Sequence, residues 1–178
     1  MPDLLPFADV LHHLDNFQHT AWRLESRRGY ADDTGTEEYR QFIRGETTTE
    51  DMSHPYYAAR RAQADQGKRF ERVRVVDNPP TDGQRFLLHR AQFNIAAGED
   101  IRNLYRSDAE QLGLPDSDFW LIDSRTLITL RFDEADCMMG VEISDDPADV
   151  VRACQIRDAA WHHAVPNAEF VRRVRSNA

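Results

Sequence analysis

Residues 69–106 read RFERVRVVDNPPTDGQRFLLHRAQFNIAAGEDIRNLYR, and this stretch decides the fold. Arg69 to Val76 is rich in valine and predicts a strand. Pro79-Pro80 ends it, and Thr81 with Gln84 stands in capping-box spacing at the head of a helix. That helix runs to about Ala97, buries Phe86, Phe93 and Ile95, and stops at Gly98. Ile101 to Arg106 alternates as a short second strand. Strand, helix and strand in this order make a right-handed parallel crossover.

Downstream, Phe119 to Asp123, Thr126 to Phe132 and Met138 to Ser144 are closely spaced strand candidates. The first two form either one long strand interrupted at Ser124-Arg125 or a hairpin turning there. Asp146 caps a last helix, Pro147 takes its first position, and Asp149 in the first turn suits the helix dipole. Val150, Val151, Cys154, Trp161, Ala164 and Val165 are expected on its apolar face. Upstream, Leu4 to Asn16 predicts a short helix around Phe7, Leu11 and Leu14, and Ala21 to Arg27 an alternating strand. Glu37 to Arg44 reads as a helix with Thr34 and Glu37 as its capping box, and Pro55 to Gln66 as another that Gly67 stops. The fold class is therefore α/β with a mixed sheet and a C-terminal helix. Residues 1–20 are a helical lead-in and residues 21–178 a single α/β domain.

Composition supports a folded core: of 178 residues, 40% are hydrophobic and 30% charged, which argues against disorder throughout. No apolar run approaches the ~20 residues that span a bilayer, and Met-Pro-Asp-Leu-Leu-Pro-Phe lacks the features of a signal peptide. A cytoplasmic protein with no membrane contact is the expectation. Cys137 and Cys154 make neither a disulfide framework nor a zinc quartet and suit small core positions. The net charge is −9, with 22 basic and 31 acidic residues. Residues 99–149 hold 14 acids against 4 arginines, so −10 sits on this segment and the rest is nearly neutral. Nucleic acid is a poor direct partner for such a surface, whereas a basic protein surface matches it. Asp133, Glu134 and Asp136 are the candidate partner-facing residues, on a polar turn between strands.

Motifs for phosphate loops, dinucleotide binding, nucleophile elbows and zincins are absent. The pairs His12-His13 and His162-His163 point about 100° apart on a helix, so neither chelates one metal alone. No metal or other cofactor is expected. Arg72 and Arg74 carry more chemistry. In a strand they share one face, about 7 Å apart, and a helix over that face leaves two guanidiniums in need of carboxylates or an anionic ligand. Glu99, Asp118, Asp123 and Asp158 are the candidate partners, with Trp120 beside them. Arg60, Arg61, Lys68, Arg69, Arg72 and Arg74 against Asp65 and Glu71 make a +4 stretch, read as a solvated helix face followed by the strand pair.

Six segments in this order carry a family likeness: residues 21–25 (AWRLE), 67–76 (GKRFERVRVV), 98–102 (GEDIR), 118–123 (DFWLID), 145–147 (DDP) and 157–166 (RDAAWHHAVP). Together they resemble an uncharacterised actinobacterial domain family, spanning nearly the whole chain, commonly encoded beside helix-turn-helix regulators of the xenobiotic-response type. The resemblance implies a cytoplasmic accessory to transcription regulation, with such a regulator as partner. A second likeness is architectural. The helix, glycine and strand of residues 59–76, residues 119–123, Gly140 and a helix ending in Trp-x-x-Ala-x-Pro resemble a phospholipase-D-type half-domain. Catalytic members of that class use a His-x-Lys pair. Here the sole lysine, Lys68, has Gln66 at that spacing, so no phosphodiesterase activity is expected. The function expected is a non-catalytic regulatory module binding a partner protein, a small anionic ligand, or both. The alternative is an enzyme acting on a phosphorylated or carboxylate substrate through Arg72, Arg74, Glu99 and Asp123.

Overall fold

A computed structural model describes residues 4–176, so the outer ends of the two expected segments, residues 1–3 and 177–178, lie outside it. Seven strands form one sheet in the order β6-β5-β4-β1-β2-β3-β7. They are β1 (Thr20–Glu25), β2 (Arg69–Val76), β3 (Asp100–Tyr105), β4 (Phe119–Ile122), β5 (Thr126–Phe132), β6 (Met138–Ser144) and β7 (Val165–Pro166). β1, β2 and β3 run parallel, and β4, β5, β6 and β7 pair antiparallel to their neighbours. The sheet is mixed, and the hairpin alternative at Ser124-Arg125 is the one adopted.

Helices fill the connections: α1 (Leu11–Asn16) after a 3₁₀ turn at Phe7–Val10, α2 (Ala31–Thr34), α3 (Glu37–Ile43) and α4 (Pro55–Asp65) before β2. They continue with α5 (Asp82–Ala96), α6 (Arg106–Gln111), α7 (Pro147–His163) and α8 (Asn167–Ser176). The α5 capping box is formed: Thr81 Oγ accepts from the Gln84 N–H at 3.2 Å, and Gln84 Oε1 accepts from the Thr81 N–H at 3.0 Å. Asp146 caps α7 by accepting from the Ala148 N–H at 2.8 Å. The cap of α3 is Thr36 instead of Thr34, because Thr34 is taken up by the short α2 before it. α2, α6, β7 and α8 lie outside the expected elements: α2, α6 and β7 are six residues or fewer, and α8 is a short helix whose Phe170, with Val171 and Val174, packs against Val76, Leu88 and Tyr105.

Alternation along the strands divides the core into two layers. Trp22, Leu24, Val73, Val75, Phe119 and Leu121 face α6 and α7. Ala21, Phe70, Trp120, Ile122 and Ile128 face the N-terminal segment, which inserts Val10, Leu14 and Phe17. The lead-in is therefore part of the core. Leu5 reinforces it by bridging Val141 on the outermost strand, where Gly140 (φ 146°) lets the two backbones approach: a Cβ there would sit 2.8 Å from the Leu5 carbonyl oxygen. Three expected core positions are corrected. Ile95 and Val151 are exposed because the buried stripes of α5 and α7 pass to one side of them, and Cys137 lies in the exposed β5–β6 turn. No helix among the described residues is long and apolar enough to cross a membrane.

Candidate functional site

The second face of β1 and β2 carries charge where the first carries apolar side chains. Parallel register sets Arg23 beside Arg72 and Glu25 beside Arg74, all pointing to the face opposite Trp22 and Val73. Arg72 and Arg74 are 7% and 5% exposed. Glu25, 3% exposed, holds both: Arg72 Nη1 donates to Oε1 at 2.6 Å and Arg74 Nε to Oε2 at 2.5 Å. Arg23 Nη1 lies 3.3 Å from the same Oε1. Arg74 Nη1 also donates to the Leu87 carbonyl at 2.6 Å, tying α5 to the sheet.

Two further carboxylates complete the balance. Glu99 takes Arg72 Nη2 at 3.2 Å, Asn94 Nδ2 at 2.9 Å and the Tyr56 hydroxyl. Asp118 accepts four bonds: the Ser26 N–H at 2.7 Å and Ser26 Oγ at 3.0 Å on Oδ1, Tyr30 Oη at 2.5 Å and Arg23 Nη2 at 3.2 Å on Oδ2. Three guanidiniums thus meet three carboxylates, and the buried cluster is neutral. Burial alone would raise the Glu25 carboxyl, but Arg72, Arg74 and Arg23 outweigh it and hold it well below the usual carboxylate range. Burial pushes the Tyr30 and Tyr56 hydroxyls up, with Glu25 and Asp118 adding at Tyr30 and Glu99 at Tyr56. Both phenols stay protonated and donate.

Above this floor opens a cavity of about 730 Å³. Arg23, Glu25, Arg72, Arg74, Phe70 and Trp120 form its sheet side, and Tyr56 with Tyr57 the α4 side. Leu87, Arg90 and Asn94 of α5 face them, while Tyr30, Asp32, Asp33, Glu38, Glu50 and Asp51 come from the long β1–α4 connection. Trp120 packs on Phe70 with ring centroids 5.1 Å apart and lies under the Arg23 and Arg72 guanidiniums at 5.4 and 5.7 Å. His54 is the lining histidine. Its Nδ1 accepts from the Tyr56 N–H at 3.2 Å and caps α4, so it is a helix cap here. The described lining has no cysteine, serine or lysine, and no group of three metal-ligating side chains occurs among the described residues.

Of the seven expected site residues, five come together. Arg72, Arg74 and Trp120 line the cavity, and Glu99 and Asp118 stand behind it. Asp123 is corrected: it sits in the β4–β5 turn, where its carboxylate accepts from the Gln18, His19 and Thr20 N–H groups at 2.8, 2.7 and 2.9 Å. Asp158 is corrected too. It projects from α7 with its side chain 70% exposed, paired with Arg157, beside a separate cleft near Asp123. The alternative substrate site through Arg72, Arg74, Glu99 and Asp123 is not assembled. Arg60 of the basic stretch is buried, its guanidinium 4.2 Å from the Phe70 ring, while Arg69 is exposed and Arg61 and Lys68 are half-buried, so the expected solvated face holds only in part. Glu25, the centre of the network, was missed. The signal was there in Arg23 and Glu25, two residues apart in an alternating strand, but their partners depend on the pairing register.

The fold is a mixed α/β one, similar to that of phospholipase D family structures. The chain is similar to a phospholipase D family member, Nuc from Salmonella typhimurium, with a TM-score of 0.53 and 11% identity over 89% of this chain and 88% of that one. It is also similar to NucT from Helicobacter pylori, with a TM-score of 0.51 and 11% identity over 92% and 96% of the two chains. At such identity the likeness is one of fold. By sequence the chain belongs to the family described as Domain of unknown function (DUF6879), matched over residues 8–172. No curated protein matches it. The Gln66-Gly67-Lys68 tripeptide lies in the turn from α4 to β2, where Lys68 sits over Phe17 outside the cavity lining.

Proposed function

We propose that this chain is a non-catalytic binding module whose cavity takes a small ligand and whose occupancy a partner protein senses. One observation carries the reading: a cavity of about 730 Å³, walled by aromatic rings, overlies a charge network that is already closed on itself. A volume of this size suits a small-molecule ligand, and a neutral, rigid floor positions one without supplying a nucleophile. Catalysis needs a nucleophile and base within hydrogen-bond reach; the described lining has no cysteine, serine or lysine, and its histidine is engaged as a helix cap. An anionic ligand on the arginine pair loses its support, because Arg72 and Arg74 are neutralised by Glu25 and Glu99.

The test pairs a thermal-shift screen with an assay of a para-nitrophenyl phosphodiester. A true ligand at a hundredfold its Kd should raise Tm by roughly 5–10 °C. The phosphodiester should not turn over. Turnover that disappears in His54→Ala would overturn the non-catalytic reading.

The partner proposed is a helix-turn-helix regulator in an actinobacterial, cytoplasmic setting, which rests on the family resemblance and on the acidic β5–β6 turn. Within that turn Asp133 Oδ1 accepts from the Ala135 and Cys137 N–H groups at 2.9 Å each, and Asp136 pairs with Arg27. Glu134 is exposed and can be reversed without unmaking the turn. Glu134→Lys should therefore weaken capture of the neighbouring regulator at low salt, and the difference should shrink above ~0.15 M salt, where screening acts within about 8 Å. Equal capture by both proteins at low salt would remove this surface from the interface.

A further inference from the structure

We propose that residues 45–52 form a strap that gates the cavity and that Arg90 is its latch. The proposal rests on the reading of the cavity as a binding site and names what controls access to it. Thr49, Glu50 and Asp51 of the strap line the cavity, at the end of the long β1–α4 connection. Both ends of the strap are fixed. Before it, Tyr39 and Phe42 of α3 pack on Phe86 of α5 with ring centroids 5.2 and 5.5 Å apart. After it, His54 caps α4. Between these ends the strap belongs to no helix or strand, and among the described residues no backbone N–H from Thr47 to Met52 makes a hydrogen bond.

What holds the middle of the strap comes from α5. Arg90 Nε meets Glu50 at 3.0 Å and its Nη1 meets Asp33 at 3.2 Å, so one guanidinium ties the strap to the head of its own connection. Thr48 Oγ and His89 Nε2 form a hydrogen bond of 2.6 Å. Arg61 of α4 adds a bond of 2.7 Å to the Met52 carbonyl, at the fixed end. α5 itself stays with the sheet, because Arg74 donates to its Leu87 carbonyl and Phe86 is fully buried. The strap has no buried residue, and polar side chains alone hold its middle. Segments held in this way open locally, at a free energy well below that of global unfolding, and gates over binding sites are drawn from them. A latch of two partly solvated ion pairs is strong enough to hold the strap and weak enough to release it.

Leu87 reports the opening: it stands one turn before Arg90 on α5, lines the cavity and is 8% exposed. The probe is N-ethylmaleimide, a small neutral thiol reagent, applied to L87C in a C137S/C154S background and read by mass spectrometry. With the latch intact the thiol should react at least about tenfold more slowly than free cysteine. Its rate should be nearly independent of urea below the unfolding transition, because strap opening exposes little surface. Arg90→Ala in this background should speed the reaction about tenfold, the worth of two partly exposed ion pairs. A153C in the same background, 2% exposed in the opposite core layer, marks global unfolding, and its rate should climb steeply with urea. Should Arg90→Ala fail to fold, Glu50→Gln removes the strap's own arm and should give about a threefold gain. A thiol at position 87 that follows urea as A153C does would overturn the gate, and so would one that reacts as fast as free cysteine in the latched protein. A urea-independent rate that neither Arg90→Ala nor Glu50→Gln changes would overturn Arg90 as the latch and with it the proposal. No ligand enters this experiment, so each of these failures leaves the cavity as a binding site to the thermal-shift screen.

Discussion

Glu25→Ala should lower unfolding stability by about 3–5 kcal/mol, because it leaves buried guanidiniums uncompensated. Glu25 is the hub of the floor: one carboxylate holds Arg72 at 2.6 Å, Arg74 at 2.5 Å and Arg23 at 3.3 Å. Arg72 and Arg23 keep Glu99 and Asp118 when it is removed, but Arg74 keeps only the Leu87 carbonyl. Urea unfolding monitored by circular dichroism measures the loss, and a change below about 1 kcal/mol would show the network to be structurally idle. Should Glu25→Ala fail to fold, the double change Glu25→Leu with Arg74→Met gives the complementary reading. Replacing both members of a buried pair by apolar groups is often close to neutral, so the double variant should recover much of the loss.

The same carboxylate gives stability a pH dependence. Burial works against its charge, yet Arg72, Arg74 and Arg23 hold its folded pKa below the ordinary value near 4.3. The unfolded chain therefore takes up the proton first as pH falls. The contribution of Glu25 is fully present above the unfolded value and is lost as the pH drops from there through the folded one. Wild-type stability should fall steeply below about pH 4, and Glu25→Gln should flatten that part of the curve.

Local chemistry was legible wherever one segment decides it. Thr81 and Gln84 cap α5, and Asp146 with Pro147 opens α7, because those groups meet within a single turn. Arg72 and Arg74 announced a buried charge cluster, because alternation alone puts both on one face of a valine-rich strand. The identity of their main partner lay in β1, about fifty residues earlier in the chain, and a parallel register is set by the packing of the whole sheet. Asp158 failed for a rotational reason. Spacing from Cys154 and Trp161 places it near the apolar face, yet the buried stripe of α7 runs through Val150, Ala153 and Ala160. Asp158 lies roughly 120° round the helix from the middle of that stripe, in solvent. Asp123 failed because a turn carboxylate answers backbone N–H groups nearby before it can answer a distant arginine.

Asp118 is where the cavity wall and the sheet are fastened together, and it should tolerate no substitute. Its side chain, with the residue 1% exposed, ends β1 through Ser26, anchors Arg23 and holds the Tyr30 hydroxyl that starts the β1–α4 connection. All four groups donate. A carboxylate meets them with two oxygens, each accepting two bonds, whereas an amide has one oxygen and would turn its own N–H groups toward either Arg23 or the Ser26 backbone N–H, neither of which can accept, while the two hydroxyls can turn. Asp118→Asn, nearly identical in shape, should therefore cost about as much as Asp118→Ala, each about 3–5 kcal/mol, in contrast to the usual ranking of conservative over truncating changes. Hydrogen exchange separates this from a general loss of packing. Amides of residues 27–36, tethered through Tyr30, should lose protection in Asp118→Asn before those of β5 and β6 do. An asparagine variant as stable as wild type, or one in which protection falls evenly across the sheet, would mean that Tyr30 and Arg23 are held by their packing on Trp120 and Phe132 and not by the charge on Asp118.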